Sequence, residues 1–175
     1  VALYQDHTSP KVQVLQVWPG LHEDGIFGLA IDLGSTTVAA HLTDLQTGAV
    51  VASSGVMNPQ IRFGEDLMSR VSYAMMNSGG DQEMTAAVRE AINALADDLA
   101  KQLGCSTAQL LEVVFVCNPV MHHLLLGIDP VELGQAPFAL ATSDSLSLKA
   151  ADLDLTALNP AARCYILPCI AGHVG

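Results

Sequence analysis

Residues 26–37, Ile26-Phe27-Gly28-Leu29-Ala30-Ile31-Asp32-Leu33-Gly34-Ser35-Thr36-Thr37, decide how this chain is read. An almost continuous apolar run ends in one carboxylate, as expected of a central strand buried on both faces with its charge at the exit. Gly34 to Thr37 then form a turn in which each residue type has a physical role if a phosphate lies above it. Gly34 lets the backbone approach an anion without a Cβ, successive N–H groups of a tight turn form an anion-binding nest, and Ser35, Thr36 and Thr37 add hydroxyl donors. Asp32 cannot bind phosphate directly, so its expected role is to hold water molecules around a magnesium ion that bridges two phosphates. The competing reading is an ordinary hairpin in which Asp and Ser satisfy turn amides. Three consecutive hydroxyl residues, with an apolar strand before them and a strand, turn and strand after, favour the phosphate site.

Working outward, residues 38–45 read as a second strand, Thr47-Gly48 as a tight turn and residues 50–57 as a third strand, giving an antiparallel three-strand meander. Upstream, residues 1–25 mix short apolar alternation with Pro10, Pro19, Gly20 and Gly25, an extended lead-in and turn expected to be a linker from a missing upstream domain. Downstream the period changes. Leu67, Val71, Ala74 and Met75 fall at helical spacing after Gly64, with Glu65 and Asp66 in the first turn. Gly79-Gly80 breaks that helix, and a longer one follows with Asp81 as N-cap, a stripe from Met84 to Leu103 and Gly104 past its end. Ser106 and Gln109 form a capping box, residues 113–117 a buried strand, and Asn118-Pro119 the start of a short helix that Gly127 closes. Residues 130–153 read as loop with one short strand, residues 163–170 as strand, and residues 171–175 as a glycine-flanked turn leading into a helix. The order β-β-β-α-α-β-α-β is an α/β arrangement like the ribonuclease-H fold, a mixed sheet with flanking helices, over residues 26–175.

Seven basic against eighteen acidic residues give 175 residues a formal charge of −11, which argues against nucleic acid and anionic membrane surfaces as partners. The longest apolar runs, such as residues 113–117, fall far short of the roughly 20 residues that cross a bilayer. Cys105, Cys117, Cys164 and Cys169 lack Cys-x-x-Cys spacing, so neither a zinc nor an iron–sulfur site is expected of them, and a cytoplasmic setting fits their use as small hydrophobes.

The hairpin resembles the first phosphate motif of the actin, sugar-kinase and Hsp70 superfamily. Asn58-Pro59-Gln60, Phe63-Gly64-Glu65-Asp66, Ser69-Arg70, Asn118 with Met121-His122-His123-Leu124, and Leu167-Pro168 with Ala171-Gly172-His173-Val174-Gly175 together look like the reductive activators of corrinoid proteins. That resemblance implies the first half of an actin-like nucleotide-binding domain, truncated at its C-terminus. It also implies an ATPase using ATP and Mg2+ to couple hydrolysis to reduction of Co(II) to Co(I) in a corrinoid methyltransferase partner. An iron–sulfur cluster is expected elsewhere in the full-length protein, and a homodimer is allowed. The chain departs from the family pattern at Cys117, where glycine is common, and at Pro119, where a small hydroxyl residue is common.

The other named residues have plainer readings. Asp66 and Arg70, spaced i, i+4, make a surface ion pair by default, although the loop before them could aim Asp66 at the cleft as a catalytic group beside Asp32. His122 and His123 point about 100° apart on a helix, one expected to be packed and the other hydrogen-bonded. Asn58, Gln60, Arg70, Asn118, His122 and His173 are candidate cleft residues, with Asn118 most simply a helix cap. Two alternatives to the corrinoid activator stay open: a small-molecule kinase of the same superfamily, for which Asp66 is the candidate base, and an incomplete module with no activity of its own.

Overall fold

The computed structural model describes residues 1–5 and 10–172. Strands β1 (Ala2–Gln5) and β2 (Val12–Gln16) form a two-stranded antiparallel sheet of their own. The segment read as an extended lead-in therefore holds two paired strands, and the Arg163 guanidinium lies over the Tyr4 ring of the first, 5.4 Å from its centroid. The pairing partner of Val12 to Gln16 lies upstream, in a segment with no alternation to announce it.

The main sheet is built from β3 (Phe27–Leu33), β4 (Thr37–Asp44), β5 (Val50–Met57), β6 (Leu110–Cys117), β7 (Leu146–Lys149) and β8 (Arg163–Ile166), in the order β5-β4-β3-β6-β8-β7. The first three are the expected antiparallel meander, β6 runs parallel to β3 and β8 parallel to β6. Strand β7 adds an antiparallel edge. This is the ribonuclease-H-like order, a mixed sheet fed by a meander, with its later strands reached through helices.

Three helices sit against the sheet: α1 (Leu67–Met76), α2 (Gly80–Leu103) and α3 (Pro119–Leu126). Leu29, Ile31 and Leu33 of β3, Val38, Ala40 and Leu42 of β4, and Val113 and Phe115 of β6 point toward them and form one core with Met84, Val88, Ile92, Leu95 and Leu99 of α2. Strand β3 is not buried on both faces as its apolar run suggests, because Ala30 and Asp32 are exposed on the far side. Its run looks continuous because the residues between the large core side chains are Gly28 and Ala30, too small to advertise a wet face.

Helix starts follow local chemistry with two differences. Asp66 precedes α1 as its N-cap, accepting from the Ser69 amide at 2.7 Å, instead of lying in the first turn. Asp81 lies in the first turn of α2 and not at its cap; the cap position is Gly79, whose φ of 81° only glycine adopts freely. Gly80 is inside the helix because a Cβ there would come within 2.9 Å of the Tyr73 ring. The capping box of Ser106 and Gln109, the Asn118 cap, Pro119 in the first turn and the Gly127 cap at φ 75° all stand as read. Residues 130–153 hold two short 3-10 turns beside β7, and β8 ends at Ile166, earlier than expected. The turn-to-helix expected from residue 173 onward, with His173, lies outside the described residues.

Candidate functional site

The β3–β4 hairpin closes with the Gly34 N–H donating to the Thr37 carbonyl at 3.0 Å. Glycine is required at 34 by that closure: a Cβ there would sit 2.8 Å from the Thr37 carbonyl oxygen. Asp32 sits at the end of β3, in register with Ala39 and Val116, and is exposed along with Thr36 and Thr37, while Ser35 is half-buried.

Behind the hairpin lie three of the candidate cleft residues, Asn58, Gln60 and Arg70, each with its side chain withdrawn from solvent. The Asn58 side-chain amide donates to the Gly34 carbonyl at 2.8 Å, its backbone N–H donates to the Thr36 carbonyl at 2.8 Å, and its Oδ1 accepts from the Gln60 N–H at 2.9 Å. Gln60 donates to the Met84 carbonyl at 2.9 Å and accepts from Arg70 Nη1 at 3.3 Å. Arg70 Nε donates to the Gly64 carbonyl at 3.0 Å and Nη2 to the Ser35 carbonyl. Arg70 Nη1 and Asn58 Nδ2 both reach the Met121 sulfur, at 3.2 and 3.5 Å.

The expected surface pair of Asp66 and Arg70 is thus corrected. Arg70 turns inward because four neutral acceptors await its fork, and burial lowers its pKa from the usual guanidinium value, with Asp66 opposing the shift. Asp66 is exposed and occupied as a cap, its carboxyl held below the ordinary range by the Ser69 amide and hydroxyl. Gly64 completes the packing, since a Cβ there would meet the Ser69 and Arg70 backbone at 2.7 Å.

The result for the hairpin follows from peptide geometry. In a trans peptide the C=O of one residue and the N–H of the next point in opposite directions. With the Gly34 and Ser35 carbonyls drawn toward Asn58 and Arg70, the N–H groups of Ser35 and Thr36 face the other way, and among the described residues neither has an acceptor. Two adjacent amides without acceptors, beside the exposed Thr36 and Thr37 hydroxyls, are an arrangement that can donate to an anion. No cluster of three or more His, Cys, Asp or Glu side chains occurs among the described residues. Asp32 offers a carboxylate beside the hairpin, which suits a hydrated magnesium ion held mainly by water and phosphate, and does not suit a metal caged by protein.

The remaining candidates stand apart from this group. Asn118 spends its Oδ1 on the Met121 amide at 3.0 Å. His123 is hydrogen-bonded at both ring nitrogens, to the Pro119 carbonyl at 2.8 Å and to the Ala141 N–H at 3.0 Å, which fixes a neutral ring with the proton on Nδ1. His122 is the packed member of the pair: neither ring nitrogen has a partner, and burial, aided by His123, pulls its pKa down to about 4. Cys117 lies beside Leu33 at the end of β6, and burial, with Cys169 and Asp32 adding to it, pushes its thiol up to about 12. What residue-by-residue reading missed is Met121, the soft acceptor on which Asn58 and Arg70 converge; its place in the Met-His-His-Leu motif was the available signal.

A mixed sheet in this strand order, fed by an antiparallel meander, is the ribonuclease-H-like fold class. More narrowly, residues 27–175 match the family described as the RACo middle region, and the chain belongs to that family. It is 32% identical over 153 residues to the corrinoid activation enzyme RamQ of Eubacterium limosum, a match covering 87% of this chain and 26% of that protein. The solved structure of a reductive activator for corrinoid, iron-sulfur protein is 35% identical, with a TM-score of 0.85, over 89% of this chain and 25% of that one. The chain therefore spans about a quarter of the length of these relatives.

Proposed function

We propose that this chain is the part of an ATP-dependent reductive activator of corrinoid proteins that receives the nucleotide's phosphates. The observation that carries this reading is the pair of outward amides at Ser35 and Thr36, set on a scaffold 35% identical to a reductive activator. Gly34, Ser35, Thr36 and Thr37 hold the phosphates, and Asp32 orients water around the magnesium ion. Magnesium supplies charge neutralisation between phosphates when bound. In the intact protein, hydrolysis of ATP to ADP and phosphate is coupled to transfer of one electron from a reduced iron–sulfur cluster, outside this chain, to Co(II) of a methyltransferase partner, giving Co(I). The setting is cytoplasmic, in keeping with four unpaired cysteines.

The kinase reading is less favoured, because Asp66, its candidate base, caps α1 through the Ser69 amide. Titration of the full-length protein with MgATP tests the site: Asp32→Ala and Thr36→Ala are expected to weaken binding, and unchanged affinity in both sinks the assignment. The appearance of Co(I) absorbance in a corrinoid partner, dependent on MgATP and a reductant, tests the activity.

A further inference from the structure

Arg70 is fully buried, yet among the described residues no carboxylate lies within 4.0 Å of it; the ion pair found there is Arg89 with Asp154, elsewhere in the fold. A buried charge without a counter-ion is costly unless something else compensates it. The acceptors of its hydrogen bonds, the Gly64 and Ser35 carbonyls, Gln60 Oε1 and the Met121 sulfur, are all neutral. Asp66, whose charge acts on it, is exposed and turned to Ser69.

One of those bonds ends on the hairpin. Drawing in the Ser35 carbonyl turns the Thr36 N–H outward, and the guanidinium polarises the same peptide so that this N–H becomes a stronger donor. An anion bonded to the Thr36 N–H would lie about 8 Å from the guanidinium, two hydrogen bonds and one peptide unit away, on the opposite face of that peptide. We propose that Arg70 is the positioning residue of the phosphate hairpin, setting the direction of the Ser35–Thr36 peptide, and that the phosphate received there is the counter-ion its burial lacks. The proposal rests on the reading of the hairpin as a nucleotide site and adds to it a residue that never touches the nucleotide.

The test uses the full-length protein, titrated with MgATP and with adenosine, which carries no phosphate. Arg70→Met, which keeps the bulk but no donor, is expected to lose about tenfold or more in MgATP affinity while adenosine affinity stays within about twofold. Arg70→Lys, which keeps the charge, is expected to recover most of that loss. Should Arg70→Met not fold, Arg70→Lys carries the comparison, with a loss of about two- to fivefold for MgATP and none for adenosine. Equal losses for both ligands, or none for MgATP in a folded variant, would overturn the proposal, since a residue that only stabilises the fold does not discriminate by phosphate. Asp32→Ala and Thr36→Ala separate the two levels: if both bind MgATP as wild type does, the site reading itself fails, whatever Arg70 does.

Discussion

Asn58 holds the phosphate hairpin from both sides of its turn, donating from its side chain to the Gly34 carbonyl and from its backbone to the Thr36 carbonyl, each at 2.8 Å. The residue is buried, and its Oδ1 also caps the 3-10 turn of residues 59–63 through the Gln60 N–H.

Asn58→Ala strands two partners, the half-buried Gly34 carbonyl and the buried Gln60 N–H. The expected cost is about 2–3 kcal/mol of unfolding free energy, read as a lowered urea midpoint with an unchanged slope.

Gly34→Ala places a methyl group 2.8 Å from the Thr37 carbonyl oxygen and opposes the bond that closes the hairpin. Loss of about 1–3 kcal/mol in stability is expected, with weakened MgATP binding in the full-length protein. An alanine variant with wild-type values for both would contradict the steric account of this glycine.

His122 makes stability depend on pH. Its folded pKa of about 4 lies below the usual histidine value, so the unfolded chain binds the proton more readily. This contribution is fully present above about pH 6.5 and is lost as pH falls toward 4, amounting to about 3 kcal/mol. His122→Leu removes the two unpartnered nitrogens and is expected to flatten the urea midpoint between pH 6.5 and 4.5.

Asn118→Ala removes the cap of α3 and is expected to cost about 1 kcal/mol, whereas Asn118→Ser keeps an oxygen for the Met121 amide and costs a few tenths. Matching losses in the two variants would assign Asn118 a role other than capping.

How much of this was legible in the residues depended on how far each feature reaches. The meander, the Asn118-Pro119 start, the Ser106 and Gln109 box and the Gly127 cap are set by neighbours a few residues apart, and all stand as read. The turn between β3 and β4 was legible too, from the glycine that closes it, whereas phosphate binding there is a proposal. The burial of Arg70 was not: spacing alone pairs it with Asp66, while its actual partners include Ser35, 35 residues away, and Met121, 51 residues away. Only the packing of α1 against α2 and the 3-10 turns of residues 59–63 and 131–134 brings these together. Asp81 missed the cap for a related reason, since the left-handed Gly79 lets α2 begin sooner than the first capping side chain.

The bond from Arg70 to Ser35 also has a mechanical side. The guanidinium ties the first turns of α1 to the hairpin, and its contact with Met121 ties in α3. Moving either helix relative to the β3–β4 turn therefore requires these bonds to stretch or break. Asn58, bonded to both the Gly34 carbonyl and the Met121 sulfur, is a second tie between that turn and α3, so α1, α3 and the turn hold one another in place.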